Sequence, residues 1–325
     1  MRLIRATGAQ LESLLDDTFP LWGDGLTRKG YGHWNIAQER TDWGTRHLRR
    51  FALMDGARVL SSAKRYDLSL WLKGRRVSGL GVGAVFTPES QRGHGHAPAI
   101  IKALEDQARG DGAEVSLLFS EIGPHYYSRL GYTQIPLQTV EVEVDQKAGA
   151  PAMMVRAGEE GDAAGVAAMH DERARGFDFA LLLDEAQVRY SVSKKRIFVG
   201  LGTGLGRSIE YFVSEEGHQA VAFLLIQVTR GVNGQPDTWS IEACGDRDPS
   251  GARIGAMLQV LLARAPSAAR PVIRAWWPDS LRPPQLRFVP RQPAGEVMML
   301  KPLVPGITLD ALAPDGVMYW HGDAF

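Results

Sequence analysis

Apolar positions along the chain change period several times, and each change marks out an element. Residues 3–5 read as a short strand. Over residues 10–19, Leu11, Leu14, Leu15 and Phe19 recur at helical spacing, and Pro20 is expected to end that helix. A Gly- and Trp-rich loop is expected over residues 21–34, then a second helix over 36–49. Three apolar runs follow, residues 51–54, 58–72 and 75–86. They are separated by Asp55-Gly56 and Lys73-Gly74, dipeptides that suit tight hairpin turns. Residues 98–109 predict a helix with Ile101, Leu104 and Ala108 on one side; Pro98 falls in its first turn, where its N–H would have no partner. A compact strand over 115–119, a short helix over 124–130 stopped by Gly131, and an alternating strand over 139–144 complete the first half.

Residues 145–152, DQKAGAPA, have the composition of a linker. Beyond them the pattern begins again. Strands are expected over 155–157, 209–213, 220–229, 239–244, 272–275 and 296–301, and helices over 162–173 and 253–263. The expected fold is therefore mixed α/β (α+β, with mixed sheets), mostly antiparallel and flanked by helices, not a regular βαβ repeat. The two halves are similar in element order far more than in residues. Domains are expected over 1–147 and 153–325, the second a degenerate copy of the first.

Length agrees, since 325 residues exceed what one hydrophobic core usually serves. Lys plus Arg and Asp plus Glu both total 37, and this balance gives no general pull toward nucleic acid or an anionic membrane. The single cysteine, Cys244, excludes a disulfide within the chain and any CxxC motif. No apolar run is long enough to span a bilayer, and the N-terminus lacks a signal-peptide pattern. A cytoplasmic protein is the expectation, with the oligomeric state left open.

Chemistry concentrates after the third apolar run. A strand ends at Phe86, the segment Arg92-Gly93-His94-Gly95 forms a glycine-rich turn, and a helix begins at once. Glycines let the backbone approach a ligand, and the first helical amides lack internal partners and sit at the positive end of the dipole. Such a turn can cradle a diphosphate, with Arg92 adding a charge-assisted bond. No Gly-Lys-Ser/Thr follows, and the strand belongs to an antiparallel run, so neither a Walker loop nor a dinucleotide fingerprint is present.

Arg92-Gly93-His94-Gly95-His96-Ala97 resembles the R-x-x-G-x-G/A loop of the GNAT (GCN5-related N-acetyltransferase) superfamily, with one residue more than usual between Pro88 and Arg92. Tyr127-Ser128-Arg129-Leu130-Gly131-Tyr132 resembles the Y-x-x-x-G-F/Y end of the same domain. Together with Ser120-Glu121, these motifs are similar to the enhanced-intracellular-survival (Eis) group, which couples two GNAT-like domains. Eis-type chains carry a third domain for which this chain, ending at Phe325, leaves no room.

The resemblance implies an acetyltransferase that uses acetyl-CoA as acyl donor and a primary amine as acceptor. It implies that the donor is held by Val85, Phe86, Thr87, Arg92, Gly93, His94, Gly95, His96 and Ala97. Tyr127 matches the proton-donor position, with Tyr126 the register-shifted alternative; a phenol of pKa about 10 is protonated at neutral pH. Glu121 and the terminal carboxylate of Phe325 are candidate bases, and Asp24 and Trp22 candidate acceptor-binding residues. His94 and His96 stand in the phosphate loop, so no metal is expected. The segment SGARIG, residues 250–255, sits where a second donor loop would fall but lacks its pattern. Two other readings stay open: a CoA-binding sensor without turnover, and a tandem-GNAT aminoacyl transferase.

Overall fold

A computed structural model describes residues 1–135, 137, 139–145, 153–202, 206–264, 270–291, 297–309 and 312–323. The chain folds as two mixed sheets flanked by helices. Its first half runs β1 (Arg2–Arg5), α1 (Gly8–Trp22), α2 (Arg28–Glu39), α3 (Asp42–His47), β2 (Leu48–Asp55), β3 (Arg58–Leu72), β4 (Arg75–Phe86), α4 (His96–Gly110), β5 (Val115–Ser120), α5 (His125–Ser128), β6 (Thr133–Gln134) and β7 (Thr139–Val144). The second runs β8 (Val155–Ala157), α6 (Ala163–Ala174), β9 (Phe179–Leu182), α7 (Glu185–Leu201), β10 (Arg207–Glu216), β11 (Gln219–Thr229), β12 (Thr238–Asp246), α8 (Ala252–Arg264), β13 (Val272–Trp276), β14 (Leu286–Arg291), β15 (Val297–Pro302) and β16 (Val317–Met318).

The first sheet has the order β1-β2-β3-β4-β5-β15-β6 and the second β14-β7-β13-β12-β11-β10-β8. Each contains an antiparallel meander, then a parallel pair joined by a crossover helix. In the first sheet β4 pairs parallel with β5 across α4; in the second β12 pairs parallel with β13 across α8. The strand beyond each parallel pair comes from the other half of the sequence. β15 lies antiparallel to β5, and β7 antiparallel to β13. The halves are thus laced together, although the sequence reading treated β7 as the last strand of the first half. The expected linker falls almost entirely in residues 146–152, outside the described residues.

Several expectations need correction. Pro20 does not end the first helix, which continues to Trp22; its Pro lies inside the last turn. The expected loop over 21–34 contains the start of α2, where Thr27 accepts a hydrogen bond from the Gly30 amide at 3.0 Å. The single helix expected over 36–49 is two, because Thr41 caps α3 by accepting from the Gly44 amide at 3.0 Å, and the chain turns to strand at Leu48. Strands β9 and β14 and the long helix α7 were not anticipated. Packing on α4 follows the expected stripe: Ile100, Ile101, Leu104 and Ala108 are buried against the first sheet, and full burial of each large aliphatic contributes about 1.5–3 kcal/mol. Among the described residues no helix is long and apolar enough to cross a membrane.

Candidate active site

The parallel pairing of β4 with β5 stops at Val82 opposite Leu118, yet β4 runs on to Phe86 and β5 to Ser120. Strand β5 keeps its partner β15 as far as Ser120 opposite Val297, so it is β4 that diverges. The divergence has a local cause. Opposite β3, Lys64 pairs with Gly83 and Ser62 with Phe86, leaving two residues of β4, Ala84 and Val85, facing one of β3. This is a bulge, and Ala84 adopts φ 47°, a left-handed conformation that costs a non-glycine residue about 1–2 kcal/mol. The outcome is a cleft between two parallel strands, with backbone turned into its mouth. The strand end is fastened by Ser61, whose hydroxyl donates to the Phe86 carbonyl at 2.7 Å and lies 3.2 Å from the Thr87 hydroxyl.

From Phe86 the chain passes through a 3-10 turn, Glu89–Gln91, to Arg92. Gly93 and Gly95 both have positive φ, 80° and 76°, and Gly95 is the residue on which α4 starts. A Cβ at either would meet nothing within 4 Å, so the space beside this turn is open. No side chain caps the N-terminus of α4. Arg92 donates from Nε to the Thr87 carbonyl at 3.3 Å, and the rings of His94 and His96 stack 5.9 Å apart. Among the described residues no cluster of three or more His, Cys, Asp or Glu side chains could hold a metal.

The equivalent crossover in the second sheet is closed. The α8 N-terminus carries its own anion: Asp246 Oδ2 accepts from the Arg253 amide at 2.8 Å and Oδ1 from the Arg253 guanidinium at 3.2 Å. The bulge of β12 is filled as well. Ile226 pairs with Ile241 and Leu225 with Ala243, leaving Glu242 as the extra residue. Glu242 is buried against Lys195 Nζ at 2.5 Å and His321 Nδ1 at 3.2 Å. Burial alone would raise the Glu242 carboxyl, but Lys195 and His321 outweigh it and hold it down at about 2. This group stabilises the fold above the unfolded carboxylate value and loses its contribution as pH falls from about 4.5 toward 2. Glu242→Ala is expected to destabilise the protein by about 3–5 kcal/mol at pH 7 by stranding Lys195, with a flatter acid limb in a melting-temperature profile.

The second sequence signature serves the first sheet in two ways. Gly131, at φ 89°, reverses the chain after α5, and Tyr132 is buried with its hydroxyl donating to Glu105 of α4 at 2.9 Å. Lys301 of β15 completes the tie at 2.6 Å from the other Glu105 oxygen. Tyr127 lies in the same apolar cluster, edge-on to Tyr126 and Tyr132, with ring centroids at 5.0 and 6.0 Å. Burial pushes its phenol up to about 12, helped by Tyr126 and Glu121. Its hydroxyl has no hydrogen-bond partner among the described residues.

Two cavities matter. One of about 570 Å³ opens at the bulge and brings together Trp22, Asp24, Ala84 and Glu121. Asp24 there is bound to Arg207 at 2.8 Å. Its far wall comes from the second half, through Lys194, Lys195 and Phe198 of α7 and Gln227 of β11. A larger cavity of about 790 Å³ lies between α3, β3 and α6. Three of its arginines are already paired, Arg49 and Arg65 with Asp67 at 2.6 and 2.8 Å and Arg76 with Asp171 at 3.3 Å. Tyr127 and the glycine turn line neither cavity, and Phe325 lies outside the described residues. Residues that sequence reasoning missed are Arg50, Lys64 and Ala84, together with the α7 wall.

Residues 12–135 match the sequence profile of the family described as Acetyltransferase (GNAT) domain. No curated protein sequence matches the chain. Among solved structures, a GCN5-related N-acetyltransferase from Anabaena variabilis is similar at TM-score 0.69 and 13% identity, over 93% of this chain and 73% of that one. Eis1 from Mycobacterium abscessus is similar at TM-score 0.58 and 13% identity, over 93% and 74%. The N-myristoyltransferase of Saccharomyces cerevisiae, with bound myristoyl-CoA, is similar at TM-score 0.54 and 11% identity, over 98% and 89%. At such identities these likenesses concern the fold alone; it is the profile match, set on the cleft and the glycine turn, that identifies the domain. Residues 12–135 thus carry the match to the GNAT acetyltransferase domain, and the fold around them is that of GNAT-like structures.

Proposed function

We propose that this protein moves an acetyl group from acetyl-CoA to a primary amine by direct attack, without an acyl-enzyme intermediate. The observation that carries the reading is the open, uncapped turn at Gly93 and Gly95 beside the diverging ends of β4 and β5. A diphosphate suits that turn because helix-terminal amides and Arg92 supply donors and positive potential there. The contrast with α8, where Asp246 already supplies an anion, supports one donor site per chain. On this reading residues 1–147 are the catalytic domain and 153–325 a degenerate copy whose helix α7 closes the acceptor cavity.

The acceptor nitrogen lone pair forms a bond to the thioester carbonyl carbon, the carbon–sulfur bond breaks, and the thiolate leaves. Backbone amides around the Ala84 bulge polarise the carbonyl as charge builds on its oxygen. Tyr127 donates its proton to the departing sulfur, and the second N–H proton, shed as the amide forms, restores the phenol. An alkylamine of pKa about 10.4 is mostly ammonium at neutral pH and must shed a proton first. Glu121, at the cavity mouth, takes that proton directly or through water, with the terminal carboxylate of Phe325 the other candidate.

The test is release of free thiol from acetyl-CoA over a panel of amines, with direct titration of acetyl-CoA binding. Turnover on at least one amine is expected. No thiol release together with no acetyl-CoA binding would remove the reading.

A further inference from the structure

The floor of the 570 Å³ cavity holds two cations with no evident use in acyl transfer. Arg50 of β2 and Lys64 of β3 are direct partners across the antiparallel ladder, and both line the cavity. Arg50 is 1% exposed and Lys64 8%. Like charges directly opposite on one sheet face repel, and a buried cation without a counterion is costly. The protein answers this only in part. Arg50 Nη2 donates to Asn35 Oδ1 at 3.3 Å, while its buried Nε and Nη1 form no well-aligned hydrogen bond among the described residues, with Tyr31 as a polar neighbour. Lys64 Nζ sits 5.4 Å from the centre of the Trp34 ring and makes no ion pair among the described residues. Glu39 of α2 is near enough to feel both cations but forms no salt bridge with either, and burial raises its carboxyl above the ordinary value. Burial likewise drives Lys64 well below the usual lysine range. Tyr31 and Tyr66 lie beside Arg50 on the cavity wall.

We infer that Arg50 and Lys64 form a carboxylate-binding floor, so that the acceptor is a primary amine that itself carries a carboxylate. The inference rests on the acyl-transfer reading for the amine end, which faces Ala84 and Glu121 at the mouth. It rests on the buried cation pair for the acid end. A single negative charge fits best, because Glu39 and Glu121 would repel a dianion such as a phosphate monoester. The same cations disfavour a polycationic acceptor, and the aromatic rings of Trp34, Tyr66 and Phe198 suit the methylene chain between the two ends.

The experiment compares 5-aminopentanoate with 5-aminopentanol, 5-aminopentyl phosphate and spermidine. Binding is measured by calorimetry without acetyl-CoA, and kcat/KM by thiol release. The amino acid should bind and react about 10- to 100-fold better than the amino alcohol, the value of one or two charge-assisted hydrogen bonds. Lys64→Met should abolish that preference while melting at the same or a higher temperature, since it removes half of a repelling buried pair. Lys64→Arg should restore part of the preference. Equal binding of acid and alcohol, or a preference for the phosphate or for spermidine, would overturn the inference even if thiol release were normal. Selective binding of the acid without any thiol release would leave the carboxylate floor standing and remove the acyl-transfer reading instead.

Discussion

Tyr127→Phe is expected to lower kcat by about 100-fold, with little change in acetyl-CoA affinity or melting temperature. The substitution removes one oxygen that has no hydrogen-bond partner among the described residues, and it keeps the edge-on ring contacts with Tyr126 and Tyr132. The magnitude follows from acidity. With its pKa near 12, the phenol is a weak acid toward a thiolate whose free value is about 8.5. Its contribution is thus a hydrogen bond that strengthens as charge grows on sulfur, with proton delivery finishing as the amine proton departs. That argues for the lower end of the about 10²- to 10⁴-fold range seen for general acids. The same value fixes the pH behaviour. Tyr127 stays protonated below about pH 11, so any rise in kcat/KM through neutral pH belongs to deprotonation of the amine or its base. The variant should keep the wild-type profile shape at a lower level. Unchanged turnover would remove Tyr127 from the chemistry, and Tyr126→Phe would then be the next comparison. Loss of acetyl-CoA binding would make Tyr127 a packing residue. Retained binding with no turnover in the wild type would favour a sensor over an enzyme.

What could be read from the sequence, and what could not, divides by the range of the interactions involved. The donor turn was legible because it is local: Gly93, Gly95 and the first turn of α4 are contiguous, and their conformations follow from the absence of a Cβ and from helix-terminal amides. The anchoring of Tyr132 follows the same logic through Gly131. The acceptor floor was not legible, because Arg50 and Lys64 meet only through the β2–β3 register, and a charged residue inside an apolar run gives no sign of its facing partner. Helix α7 escaped notice because its buried positions are few and partly polar, Gln187, Val188 and Tyr190, interrupted by Lys194-Lys195-Arg196. It is held by contacts across a long sequence gap. Trp34 Nε1 donates to the Lys194 carbonyl at 2.9 Å, and the Tyr190 hydroxyl donates to Gln38 at 3.2 Å. The exchange of β7 and β15 between sheets is invisible for a related reason. β7 alternates polar and apolar residues and β15 is mostly apolar, patterns that name no particular sheet; their pairing with β13 and β5 is set only in the folded chain.

Gly95→Asp is expected to weaken acetyl-CoA binding at least about 100-fold while leaving the fold intact. The protein performs a related experiment on itself, since the first turn of α8 carries the Asp246 carboxylate on its Arg253 amide while α4 has no side-chain cap among the described residues. A carboxylate at position 95 would compete for the same amides and repel an incoming diphosphate; two unit charges about 4 Å apart interact by about 4 kcal/mol near a protein surface. Folding should suffer little. The new Cβ meets nothing within 4 Å, and Asp is among the residues that tolerate a φ of 76°, so the backbone cost is held to about 1–2 kcal/mol. Gly95→Ala separates the two effects, because it carries the backbone cost without the charge and should lose less than about tenfold in affinity. Equilibrium titration of acetyl-CoA against the three proteins, with melting temperatures alongside, checks this. If the aspartate variant bound acetyl-CoA as the wild type does, the diphosphate would have to lie elsewhere, and the assignment of the turn as the donor site would fail.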